Sequence, residues 1–211
     1  MTTLLIAGAT GLVGGLALAQ ALADERVEHV VALTRRPIPS HPKLHCVLVD
    51  FTSLPPDAPW WRVDGVISAM GTTRAVTRSP VAYRTIDRDY PFAIACNSRA
   101  HGASRFALVS SLGAHPRSRF TYTRTKGELE SDLATLGFPS LTIVRPSVLA
   151  GRRDDRRYDE RSALALLTLL APVVPARIKP SPAGQVAALL LEGAISAPAG
   201  VHVKTNLDMK V

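Results

Sequence analysis

The sequence has few cysteines and no long apolar segment. Its 211 residues include only two cysteines, Cys46 and Cys96, in apolar surroundings and without the spacing of metal ligands. We therefore expect two buried thiols, no disulfide and no metal site. No stretch approaches the roughly 18 apolar residues of a membrane-spanning helix, and no basic segment precedes the first apolar run. These absences predict a cytoplasmic protein with no signal peptide and no membrane partner.

Internal repeats, low-complexity tracts and a basic stripe are also absent. The formal net charge is +8, but the arginines are scattered along the chain, which argues against a nucleic-acid partner. The densest charged cluster, residues 152–161 (RRDDRRYDER), also contains four acids, as is typical of a solvated loop or helix face. The length and the 46% hydrophobic content predict a single globular domain over residues 1–211.

Short β-branched runs alternate with longer helical patterns. Seven runs read as strands, namely TLLIAG, HVVALTR, LHCVLVD, DGVISAM, RFALVSS, LTIVRPS and GVHVKTN. Near-continuous apolar strands separated by helices predict an α/β fold with a doubly wound, mostly parallel sheet in three layers, as in Rossmann-type domains. Helices are predicted at about residues 11–23, 80–101, 123–136, 162–170 and 183–195. Residues 151–182 depart from this rhythm, and we expect them to form a substrate-side lid or insertion.

Glycines interrupt the first apolar run where a strand gives way to a helix. This strand–turn–helix context is the one in which a glycine pattern predicts dinucleotide binding. Gly8 permits a sharp turn, Gly11 lets a diphosphate approach, and Gly14 lets the helix pack against the strand. The predicted cofactor-binding residues of this turn are Gly8, Thr10, Gly11, Leu12, Val13 and Gly14.

The ends of the next strands predict the remaining cofactor contacts. An acid after the second strand would favour the free 2′-hydroxyl of NAD, whereas Arg35 and Arg36 stand there and suit the 2′-phosphate of NADP(H). The alternative is that one or both arginines face water. The third strand ends at Asp50 and Phe51, near the expected adenine. The fourth strand ends in small or apolar residues that would lie beside the cofactor, namely Ala69, Met70 and Gly71.

A tyrosine and a lysine in the sequence share one predicted helix face. Tyr122 and Lys126 are four residues apart, and either Ser110 or Ser111 ends the preceding strand. Lysine is rare in this chain, with five lysines against 20 arginines, and a compact ammonium differs chemically from a guanidinium. We expect the phenol of Tyr122 to exchange a proton with a substrate oxygen.

Taken together, these features resemble the atypical branch of the short-chain dehydrogenase/reductase superfamily. The resemblance rests on the glycine turn, the serine-ending fifth strand, the Tyr122–Lys126 pair and the later Arg-Pro-Ser. More closely, the segments GATGLVG, MGTTR, DRDYPFAIA, VSSLGA, YTRTKGELE and RPSVLAG look like the bacterial relatives of the human Tat-interacting oxidoreductase. The resemblance covers Leu4 to about Arg152.

The resemblance implies a Rossmann-type fold and NADP(H), more than NAD(H), as cofactor. It implies that Tyr122 is the proton donor or acceptor and that Lys126 holds the nicotinamide ribose. By the usual strand-end position Ser111 polarises the substrate carbonyl, with Ser110 as the alternative, and Pro146 contacts the nicotinamide. The asparagine of the catalytic tetrad is not located, although Asn97 lies on the corresponding predicted helix.

The sequence therefore predicts an NADP(H)-dependent oxidoreductase acting on a small carbonyl or alcohol substrate. The alternative is a dinucleotide-binding redox sensor or scaffold protein with little turnover, since a fold alone does not establish catalysis. The intact serine, tyrosine and lysine set favours the enzyme. The apolar residues 163–176 (ALALLTLLAPVVPA) can pack in the core, line a pocket or form the contact of a homodimer, and core packing is expected first.

Overall fold

The structure is a computed structural model, and it describes residues 1–72, 79–150 and 179–209. Seven strands belong to one sheet: β1 (Thr2–Ala7), β2 (Val27–Thr34), β3 (Leu44–Leu48), β4 (Gly65–Ser68), β5 (Arg105–Val109), β6 (Ser140–Val144) and β9 (Gly200–Lys204). Their order is β3-β2-β1-β4-β5-β6-β9, and every neighbouring pair is parallel. The seven predicted strands and the parallel sheet are confirmed.

Helices cover both faces of this sheet. The α-helices of the described residues are α1 (Leu12–Ala23), α2 (Pro80–Arg84), α3 (Tyr90–Ala100), α4 (Thr121–Thr135) and α5 (Ala183–Ile195). Alternate residues of β1 point to opposite faces, as the period of a strand requires. Leu4 packs in the core beneath α1 and α5, whereas Leu5 packs in the core beneath α3 and α4. The predicted three-layer, doubly wound architecture is confirmed.

The strand order creates an open crevice at one edge of the sheet. The chain proceeds outward from β1 to β3, then returns to place β4 on the other side of β1. In doubly wound sheets, ligands bind at the carboxyl ends of the strands where the winding direction changes. That position falls between the carboxyl ends of β1 and β4.

The predicted helix at residues 80–101 is divided in the structure. A π-helical turn, Thr85–Asp89, separates α2 from α3, and the N–H of Tyr90 bonds the carbonyl of Thr85. In an α-helix the N–H of residue 91 would bond the carbonyl of Asp87, but Pro91 has no N–H. In the π turn each hydrogen bond spans five residues, one more than in an α-helix. The helical pattern predicted the extent of this segment and missed the turn within it.

A second, two-stranded sheet lies near the carboxyl end of β6. It pairs β7 (Leu149–Ala150) with β8 (Ser181–Pro182). Beside it, the Ser181 hydroxyl donates to Asn206 Oδ1, and Asn206 Nδ2 donates to Ser147 Oγ at 3.0 Å. Most of the predicted lid (151–182), the predicted helix at 162–170, the apolar segment 163–176 and the charged cluster 152–161 lie outside the described residues.

The cysteines differ from the expectation of buried thiols. Cys46 and Cys96 are both free thiols but are only half-buried. Burial nevertheless raises the pKa of the Cys96 thiol, which disfavours its reactive thiolate. Among residues 1–72, 79–150 and 179–209, no helix is both long and apolar enough to cross a bilayer.

Candidate functional site

The turn after β1 lies tightly against its neighbours. Gly8 has φ +87°, a conformation that side-chain-bearing residues rarely adopt, and a Cβ there would lie 2.6 Å from the carbonyl oxygen of Ala69. A Cβ on Gly14 would lie 2.0 Å from the carbonyl oxygen of Gly8. The two glycines therefore hold main chain close to main chain, and they keep α1 directly against the end of β1.

The N-terminus of α1 carries no side-chain cap. Gly11 occupies the cap position, no side chain accepts from the first turn, and that turn contains no acid. Thr10 and Gly11 are exposed, Leu12 is half-buried and Val13 is buried. Uncapped N–H groups and the positive end of the helix dipole form an anion-binding position. The geometry thus fits the diphosphate of a dinucleotide.

The end of β2 is basic and open. Arg35 and Arg36 are both exposed, and neither has an ion pair among the residues that the structure describes. Thr34 is buried, and its hydroxyl donates to the carbonyl of Arg36 at 2.8 Å. The hydroxyl fixes the backbone of this turn and leaves two guanidinium groups available to an external anion.

One polar and one apolar side chain follow β3, and they differ in exposure. Asp50 is exposed, and the N–H of Thr52 donates to its Oδ1 at 2.9 Å, which lowers the pKa of this carboxyl. Phe51 is buried and its ring stacks on Tyr90, with 5.7 Å between the ring centroids. Of the two predicted adenine neighbours, only Asp50 therefore has an exposed side chain.

The residues after β4 contact the predicted catalytic lysine. Lys126 Nζ lies 3.4 Å from the carbonyl oxygen of Met70, and its side chain is only 4% exposed. A Cβ on Gly71 would lie 3.5 Å from the same nitrogen. Lys126 also forms an ion pair with Asp87, with 2.8 Å between Nζ and Oδ1. The predicted site residues of β4 and α4 thus meet around one buried ammonium.

Tyr122 lies in the first turn of α4, one helical turn before Lys126. It is 40% exposed, and its ring lies 6.2 Å from the ring of Tyr83. The helix begins at Thr121, two residues before the predicted start, so that Tyr122 is included in it. A half-exposed phenol one helical turn before a buried ammonium can exchange a proton with a bound ligand.

The two serines after β5 have different environments. Ser110 Oγ donates to Glu130 Oε1, a carboxylate that also accepts from Arg145 Nε at 3.0 Å. Ser111 is 5% exposed, and its hydroxyl has no hydrogen-bond partner among the described residues. Buried polar groups are normally paired, so the free hydroxyl of Ser111 is the one available to a ligand.

Pro146 lies beside Ser111 at the same edge of the sheet. Its carbonyl accepts from the N–H of Leu112 at 2.7 Å, which extends the pairing of β5 with the chain after β6. Pro146 itself is buried. The structure therefore brings Pro146 and Ser111 together at this edge of the sheet.

Sequence reasoning missed Asp87 and Glu130, and it did not predict the register of Asn97 on its helix. Asn97 lies near the carboxyl end of α3, where its carbonyl accepts from the ring of His101 at 2.9 Å. This end of the helix is the one farther from the crevice. A signal for Glu130 existed, because it follows Lys126 by four residues and shares its helix face. No periodic signal marked Asp87, since the π turn alters the spacing.

A family of known proteins matches most of this chain. Residues 8–163 match the family described as NAD(P)H-binding. The match covers well over half of the chain, and the protein belongs to this NAD(P)H-binding family.

Several fungal proteins are similar along most of the chain. "Protein FMP52, mitochondrial" of Debaryomyces hansenii is 36% identical over 151 residues, which are 70% of this chain and 67% of that protein. The Coccidioides immitis protein of the same name is 32% identical, over 76% of this chain and 71% of its own. The expected cytoplasmic location is contradicted, because these relatives are named as mitochondrial proteins.

Solved structures share the fold at low identity. MoeE5, in complex with UDP-glucuronic acid and NAD, has a TM-score of 0.73 at 18% identity and covers 95% of this chain and 75% of its own. A UDP-N-acetylglucosamine 4-epimerase from Methanobrevibacter ruminantium has a TM-score of 0.70 at 14% identity, with 97% of this chain and 76% of its own covered. At these identities the likeness establishes the NAD(P)-binding Rossmann-type fold.

Proposed function

We propose that the protein is an NADP(H)-dependent oxidoreductase of the short-chain dehydrogenase/reductase type, acting on a small carbonyl or alcohol substrate. The observation that carries this proposal is the buried ammonium of Lys126, one helical turn after the half-exposed phenol of Tyr122. The resemblance of the chain's motifs to those of bacterial relatives of the human Tat-interacting oxidoreductase is consistent with the same assignment.

The dinucleotide fits the groups that the chain leaves open. The uncapped N–H groups at the N-terminus of α1, which follow Gly8 and Gly11, bind the diphosphate. The exposed guanidinium groups of Arg35 and Arg36 bind the 2′-phosphate of the adenosine ribose. The free N–H of Lys126 binds the nicotinamide ribose.

The chain's own residues then handle the substrate oxygen. The bound nicotinamide supplies the hydride in reduction and accepts it in oxidation. The phenol of Tyr122 donates a proton to the substrate oxygen in reduction and accepts it in the reverse direction. The hydroxyl of Ser111 donates a hydrogen bond to that same oxygen, a role for which Ser110 is not free because it already donates to Glu130.

The test of the enzymatic proposal is NADPH oxidation with a panel of aldehydes, ketones and quinones, together with NADP+ reduction by the alcohol-level compound UDP-glucose, both followed by absorbance. UDP-glucose is included because proteins of the same fold are solved with UDP-sugars. We expect Tyr122→Phe to lower kcat by about 10²-fold or more and to leave NADPH affinity nearly unchanged.

Tyr90→Phe is the matched control, because it removes a phenol whose ring packs on Phe51 and should retain turnover. Turnover unchanged in Tyr122→Phe would exclude the phenol from the mechanism. NADPH binding without turnover of any panel compound would instead favour the sensor or scaffold alternative.

Cofactor preference is tested at the end of β2. Because a charge-assisted contact to a phosphate is lost, Arg35→Ala or Arg36→Ala should weaken NADPH binding about tenfold, with little effect on NADH. Arg62→Ala, an exposed arginine before β4, serves as the charge-matched control. Equal losses for both dinucleotides would refute the 2′-phosphate assignment.

A further inference from the structure

Asp87 is a buried carboxylate with two distinct donors. Its side chain is 0% exposed. Oδ1 lies 2.8 Å from Lys126 Nζ, and Oδ2 accepts from the backbone N–H of Thr72 at 2.8 Å. One carboxylate thus joins α4 to the chain that follows β4, through an ion pair at Oδ1 and a hydrogen bond at Oδ2.

The π turn determines where this carboxylate lies. Asp87 is the central residue of Thr85–Asp89, and π turns inside helices are frequent at functional sites. Arg84 and Arg88 fasten the same segment to α4 through Glu128 and Asp132. The segment is therefore held independently of Asp87, whose burial is not needed to anchor it.

The ion pair faces the crevice at Gly71. A Cβ on this exposed residue would lie 3.4 Å from Asp87 Oδ1 and 3.5 Å from Lys126 Nζ. The ammonium has three N–H donors, and Asp87 and Met70 account for two of them. Among the residues that the structure describes, the third has no acceptor.

We propose that Asp87 is a positioning residue that fixes Lys126 so that its remaining N–H is directed at a dinucleotide in the crevice. The inference rests on the proposed function only as far as dinucleotide binding. Asp87 also balances the charge of the buried ammonium, since an unpaired buried charge is strongly disfavoured. It acts through Lys126 and does not itself touch the ligand.

Asp87→Asn tests this role with NADPH as the probe, by fluorescence titration well below the melting temperature of each variant. Asparagine has one acceptor oxygen where aspartate has two, so one donor, Lys126 or Thr72, loses its partner. We expect NADPH affinity to fall about tenfold, the loss of one charge-assisted contact. The matched control is Asp132→Asn, which removes an ion pair between the same two elements at 2.7 Å and should bind NADPH like wild type.

A double-mutant cycle with Lys126→Met separates a positioning role from an independent one. Asp87→Asn should cause no further loss of NADPH affinity in the Lys126→Met background, and a further loss there would overturn the inference. This comparison does not need the single Asp87 variant to fold, because it uses only Lys126→Met and the double variant.

The outcomes distinguish this inference from the enzymatic proposal. Wild-type affinity in Asp87→Asn, with turnover of a panel carbonyl by wild type, overturns the inference and leaves the enzyme standing. Weakened binding in Asp87→Asn without wild-type turnover supports the inference and favours the sensor or scaffold alternative over the oxidoreductase. Failure of wild type to bind NADPH overturns both.

Discussion

Two groups of charged and polar side chains, each with a member on α4, differ in how completely their donors and acceptors are hydrogen-bonded. In the closed cluster, Glu130 accepts from Ser110 and from both Nε and Nη2 of Arg145, and this pairing raises the pKa of Arg145 above its usual range. The open cluster is our name for the Asp87–Lys126 ion pair together with the separate hydroxyl of Ser111. One ammonium N–H of the pair and this hydroxyl have no partner among the described residues.

This difference in hydrogen bonding indicates that the two clusters have different roles. A carboxylate whose two oxygens both have donors joins β5, α4 and the chain after β6. Unpaired buried donors are costly, so a site that retains them is one where a ligand supplies the acceptors. We therefore interpret the closed cluster as structural and the open cluster as chemical.

The largest expected effect is on stability, in the closed cluster. Glu130→Ala leaves Arg145 and Ser110 without their partner, and the free energy of unfolding should fall by about 2–3 kcal/mol, because a broken buried pair is strongly destabilising and Arg145 is partly exposed. Urea unfolding measures this loss. Glu128→Ala on the same helix, which pairs with Arg84 at the surface, should cost less than about 1 kcal/mol.

Equal losses in these two variants would show that the closed cluster has no special structural role.

The adjacent serines, Ser110 and Ser111, test whether the two clusters have different roles. Ser110→Ala should lower the free energy of unfolding by about 1–2 kcal/mol, because it removes a hydrogen bond to a charged group, and it should retain turnover. Ser111→Ala should change stability by less than about 0.5 kcal/mol and lower kcat about 10²-fold. The reverse pattern would exchange the roles of the two serines.

The smallest effect is expected at an exposed ion cluster that serves as a reference. Arg26 pairs with Asp24 at 2.7 Å and with Glu192 of α5, and its hydrogen bonds lower the pKa of both carboxyls. The resulting stability is present above about pH 4, the unfolded range of these groups. It is lost as the pH falls through the lower folded values.

Arg26→Ala should therefore cost about 0.5 kcal/mol at neutral pH, and the difference from wild type should vanish in acid, as measured by unfolding at a series of pH values. Arg62→Ala, with no ion pair among the described residues, is the control. A cost that persists in acid would mean that the cluster acts through packing and not through charge.

Much of the fold was predictable because its signals are local. Apolar runs marked the seven strands, and helical spacing placed Tyr122 and Lys126 on one face of α4. The π turn at Thr85–Asp89 was not predictable from a period of 3.6 residues. The place of Asn97 relative to the site could also not be predicted, because membership of a helix does not show which end of it reaches the site.

The sequence by itself determined the parallel sheet, the glycine turn and the pair on α4, because each depends on residues close together in the chain. Only the tertiary structure decided which buried group has a partner. Ser110 and Ser111 are neighbours with the same chemistry, and Glu130, 20 residues away, occupies only the first. Asp87 reaches Lys126 across 39 residues of chain, because sheet order and helix packing, and not local spacing, bring the carboxylate to the ammonium.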